Sequence, residues 1–146
     1  MSTVETAVQM LALCREYNLS GTAFAERFEP QTLAAAYNGI GPEWFPAKLR
    51  EAIDDLAADL RPAAFIHDLR YAYGDGTTAH FSAANAELQS NGYKIADAKY
   101  RWYDPRRYLT RRRARIFAEL CQAFGWTAYL EACKRGKSAA KEATHE

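Results

Sequence analysis

Residues 62–73 read PAAFIHDLRYAY, and the placing of every other element depends on how this stretch folds. Pro62 suits the first turn of a helix, where its missing N–H costs nothing, and Gly74 suits the stop. Between them Phe65, Leu69 and Tyr73 recur every four residues and predict an apolar stripe. His67 and Tyr71 are also four apart and stack on a neighbouring strip, while Asp68 lies about 100° round from His67. An imidazole and a carboxylate thus project from adjacent positions of one buried helix. Such a pair suits either a core histidine satisfied by hydrogen bonds or an active site. The flanking sequence has to choose.

Upstream, Val4, Val8, Leu11 and Cys14 predict an amphipathic first helix ending near Asn18 to Gly21, with short helical stretches over 22–28 and 30–36. Tyr37-Asn38-Gly39-Ile40-Gly41-Pro42 follows as a loop whose glycines can turn several carbonyls inward. Pro46 opens a helix carrying Leu49, Ile53, Leu56 and Leu60 on one face. Downstream, Phe81, Asn85 and Leu88 place Asn85 on the buried stripe of a short helix ending at Asn91-Gly92, and a buried amide needs partners. Ile95, Ala98 and Trp102 favour a further helix, and Asp104-Pro105 is an N-cap and first-turn pair. The helix after it points Leu109, Ile116, Leu120 and Phe124 inward. Gly125 kinks or ends it before a last segment at 127–134, and residues 136–146 read as a small, polar, disordered tail. No strand alternation appears. The prediction is one all-α domain of about six helices over 1–135.

The composition is that of an ordinary globular domain, and a net charge of +1 argues against general nucleic-acid binding. The cysteines Cys14, Cys121 and Cys133 have no metal-ligand spacing and read as small core residues in a reducing compartment. Glu5 and Gln9 stand where a signal peptide would be apolar, so a cytoplasmic protein is expected. Arg101, Arg106, Arg107, Arg111, Arg112, Arg113 and Arg115, interleaved with Trp102, Tyr103 and Tyr108, read as a solvated helix face paired to acids, or as a contact for anionic headgroups or nucleic acid. Trp44 and Phe45 fit a core position or an acyl entrance, and His80 and His145 receive no partner.

Tyr37-x-Gly39-x-Gly41, followed on a later helix by His67-Asp68-x-x-Tyr71, resembles the two-part signature of the phospholipase A2 superfamily, closest to its disulfide-poor members, including the lipase domains of small viral capsids. The strings NGIGPEWFP and FIHDLRY also look like small phage or prophage proteins. The resemblance covers roughly residues 35–92. It implies a Ca²⁺ site formed by the carbonyls of Tyr37, Gly39 and Gly41 with the Asp68 carboxylate, a hard-oxygen set that suits this cation. It further implies a phospholipid or membrane surface as substrate. His67 would take a proton from the water that attacks the ester, the Gly39 N–H would meet the oxyanion, and Tyr71 would help orient the imidazole. Asn85 stands where the family has its orienting aspartate. A neutral amide can accept the imidazole N–H but cannot neutralise an imidazolium, which leaves a second expectation open: a degenerate site on the same fold, serving as a binding or structural module. The 46–60 helix also lengthens the spacing from Gly41 to His67 beyond the usual pattern.

Overall fold

The computed structural model describes residues 3–37 and 58–145, excluding the side chains of 140–145. Among the described residues the chain forms seven helices and no strand: α1 (Thr3–Glu16), α2 (Thr22–Ala25), α3 (Pro30–Ala36), α4 (Arg61–Ala72), α5 (Thr78–Lys99), α6 (Pro105–Phe124) and α7 (Trp126–His145). The loop at Gly39 and Gly41, the aromatics Trp44 and Phe45 and most of the 46–60 segment lie outside the described residues.

Helix α4 is the PAAFIHDLRYAY stretch, shifted by one residue at each end, with Pro62 in its first turn and Tyr73 as its C-cap. Its buried residues fall on several faces: Pro62, Ala63, Ala64, Phe65, Ile66, His67, Leu69 and Tyr71. A helix buried on several faces must be wrapped by neighbours. α1 and α3 pack on one side with Ala7, Met10, Cys14 and Leu33, and the Cys14 thiol donates to the Pro62 carbonyl at 3.5 Å. α5 packs on another side, antiparallel to α4. α6 returns antiparallel along α5 and brings Phe117 and Cys121 to the same core, while α7 crosses the C-terminal end of α4. Asn91, with no exposure, pins α5 to the turn after α1. Its Oδ1 accepts from Ser20 N at 2.8 Å and its Nδ2 donates to Ser20 O at 2.9 Å.

Four sequence expectations change. In α1, Val8 is 49% exposed and Ala7 and Met10 are buried in its place, while Cys14 is buried as expected and Leu11 packs half-buried on the core. The inward face is turned toward Ala7 and Met10 over the first turns of the helix. In α6, Leu109 and Phe124 are exposed, and Thr110, Ala114, Phe117, Ala118 and Cys121 face inward. α5 does not end at Asn91-Gly92 but runs on to Lys99. Where α5 and α6 cross they pack through small residues: a Cβ on Gly92 would sit 2.3 Å from the Cβ of Ala114. The glycine marks a helix crossing, not a helix end. Finally, α7 continues through the segment assigned to a disordered tail. Its Gly136 is buried, and a Cβ there would fall 1.7 Å from the Ala72 carbonyl oxygen. Close backbone contact with α4 anchors the helix at that point.

Candidate functional site

The α4 and α5 helices face each other at His67, Tyr71 and Asn85. Asn85 Oδ1 lies 2.8 Å from His67 Nε2 and 2.7 Å from the Tyr71 hydroxyl, which donates to it. The His67 and Tyr71 rings, one helical turn apart, pack at a tilt of 46° with centroids 4.1 Å from each other. On the other side of the amide, Asn85 Nδ2 donates to Gln122 Oε1 at 2.7 Å, and Gln122 Nε2 donates to Ser82 Oγ at 3.0 Å. His67, Tyr71 and Asn85 are buried, whereas Gln122 and Ser82 are exposed. The chain of bonds therefore runs from the core to the surface.

The direction of these bonds sets the state of the histidine. With its Nδ2 committed to Gln122, Asn85 offers only an acceptor to the other two groups. Tyr71 O–H and His67 Nε2–H both fill it, so the imidazole carries its proton on Nε2 and keeps a basic lone pair on Nδ1. Burial drives the imidazole pKa down to about 4, against smaller upward pulls from the Asn85 bond and the Glu87 charge. The ring is thus neutral at ordinary pH. Burial likewise raises the Tyr71 hydroxyl well above its usual range, keeping it a donor.

The other positions named by the sequence divide. Asp68, next to His67, is half-buried. Tyr37 is the C-cap of α3, and its ring meets Phe65 edge-on at 5.6 Å between centroids. Burial and the Asp68 charge both raise the Tyr37 hydroxyl, with Arg61 opposing. The Tyr37 hydroxyl and the Asp68 carboxylate are therefore electrostatic neighbours beside α4. Gly39 and Gly41 are outside the described residues. Among the described residues no cluster of three or more His, Cys, Asp or Glu side chains could hold a metal by itself.

Gln122, which lies 37 residues from Asn85 on the polar side of α6, is not among the residues singled out by sequence. No periodicity marks a surface glutamine that turns back to an inner helix. His80, unassigned by sequence, lies with Nδ1 3.0 Å from the Tyr129 hydroxyl, which also accepts from Gly76 N at 3.0 Å. That group belongs to a second aromatic cluster of Tyr71, Phe81 and Tyr129, where burial pushes the Tyr129 hydroxyl up to about 12. Four of the seven arginines of the run are paired with acids among the described residues: Arg106 with Asp104, Arg107 and Arg111 with Asp97, and Arg115 with Glu119 at 3.9 Å. Among the described residues no helix is long and apolar enough to cross a membrane.

No protein-family profile, no curated protein and no solved structure matches this chain.

Proposed function

We propose that the chain is a phospholipase A2-like hydrolase that cleaves a carboxylic ester of a phospholipid with a histidine-activated water. The observation that carries this reading is the convergence of His67 Nε2 and Tyr71 O–H on Asn85 Oδ1, at 2.8 and 2.7 Å. It leaves Nδ1 unprotonated and holds the ring at Nε2, as a general base requires. His67 would take the proton of the attacking water at Nδ1. Tyr71 and Asn85 position the ring through Nε2 and do not touch substrate. Ca²⁺, when bound, would supply Lewis-acid polarisation of the ester carbonyl. The residues that would hold it are Asp68 and the carbonyls of Tyr37, Gly39 and Gly41. Trp102 and Tyr103, exposed beside Arg101 and Arg106, suit the interface of a phospholipid surface. They stand roughly 20 Å along α5 from Asn85, so they would anchor the molecule without lining the site.

Phosphatidylcholine vesicles test the reading. Fatty acid should be released with calcium present and should stop on chelation; no calcium-dependent release at any enzyme concentration would end it. A second reading, a non-catalytic member of the same fold, is favoured by Asn85 itself, which cannot neutralise an imidazolium, and by a ring whose burial disfavours that ion. Creation of activity by Asn85→Asp in an otherwise inactive protein would support it. Substantial turnover by the unaltered chain would remove it.

A further inference from the structure

An aspartate facing His67 would present acceptors whichever way it turned, but an asparagine has two different ends. Rotating the Asn85 amide by half a turn exchanges oxygen and NH₂ with almost no change of shape. The consequence for His67 is large. In the observed arrangement every bond runs outward: Tyr71 and His67 donate to Asn85, Asn85 donates to Gln122, and Gln122 donates to Ser82. In the reversed arrangement the Ser82 hydroxyl would donate to Gln122, Gln122 to Asn85, and the Asn85 NH₂ to His67 Nε2. That reversal moves the imidazole proton to Nδ1 and abolishes the lone pair there.

Tyr71 opposes the reversal from the buried end, and Gln122 sets the direction at the exposed end by which of its two amide ends it presents to Asn85. Tyr71 is buried, and its O–H finds its acceptor in Asn85 only in the outward direction. Gln122, at the exposed end, offers its carbonyl to Asn85 while its own NH₂ is taken by Ser82. We infer that Gln122 is a positioning residue: by accepting from Asn85 it holds the amide with its oxygen inward and so fixes His67 in the Nε2–H tautomer. Because Gln122 lies on the surface of α6, its hydrogen-bonding character can be altered with little disturbance of the core.

The tautomer is read directly from the ring-nitrogen chemical shifts of ¹⁵N-histidine-labelled protein, with the His67 signals identified by their loss in His67→Gln. The unaltered protein and Gln122→Glu, whose carboxylate can only accept, should both show Nε2–H alone. Gln122→Lys, which presents only donors to the amide, should shift His67 to Nδ1–H. Adding Asn85→Asp to the lysine variant should restore Nε2–H, because a carboxylate has no donor end to present. Should the lysine variant fail to fold, Gln122→Met combined with Tyr71→Phe serves instead and should give a mixture of both tautomers, because both holds on the amide are then removed. His67 remaining wholly Nε2–H in whichever of these variants folds would overturn the assignment. The consequence for turnover, a loss of roughly 10²- to 10⁴-fold in Gln122→Lys, rests on the hydrolase reading. The nitrogen shifts do not. A protein without esterase activity whose tautomer still follows residue 122 would refute that reading and leave this one standing.

Discussion

Asn85→Leu conserves volume and deletes three hydrogen bonds in one step. The Tyr71 hydroxyl and the His67 N–H would then be buried without partners, at about 1–3 kcal/mol each. A loss of roughly 3 kcal/mol in unfolding free energy is expected from urea denaturation, whereas Asn85→Asp, which keeps both acceptor contacts, should lose far less. His67 supplies a pH prediction. An unfolded imidazole titrates near 6.5 and the folded one near about 4, so between these values the unfolded chain binds more protons. The contribution is full above pH 6.5 and is lost as pH falls toward 4, amounting to about 3 kcal/mol. Urea midpoints measured across that window should slope in the native protein and flatten in His67→Gln.

At the scale of helices, the small residues matter most. Gly92→Ala should gain about 1 kcal/mol in helix propensity but lose about 1–3 kcal/mol by forcing α5 away from Ala114. The expected result is a lower melting temperature, partly recovered by adding Ala114→Gly, because the two positions share one contact. The α5–α6 turn behaves differently. Trp102 is 82% exposed and Tyr103 62% exposed, and the two rings pack edge-on against each other at 5.6 Å. Replacing both by serine should change stability by no more than about 0.5 kcal/mol in thermal unfolding, since no core contact is lost.

Across the whole molecule, the three thiols report on cooperative opening. Cys14, Cys121 and Cys133 are free and buried in three different helices, and burial drives Cys14 and Cys121 up to about 12. A thiol-reactive dye at pH 8 should label none of them rapidly in the native state and all three in guanidinium. Labelling of Cys133 well before Cys14 would show that α7 opens separately from the α1–α4 core.

The sequence by itself determined the helical class, the span of α4, the Asp104 cap, and the placing of His67, Tyr71 and Asn85 on buried faces. These are local properties, written in four-residue spacings and in the chemistry of proline, aspartate and glycine. Tertiary structure alone decided the rest. The passage of α5 through Gly92 and the extension of α7 past Gly136 depend on how closely two helices approach, which small residues permit and spacing does not reveal. Gln122 joined Asn85 for the same reason: α6 returns antiparallel along α5, and only that return sets a surface glutamine against a buried amide and gives the hydrogen bonds at His67 their direction.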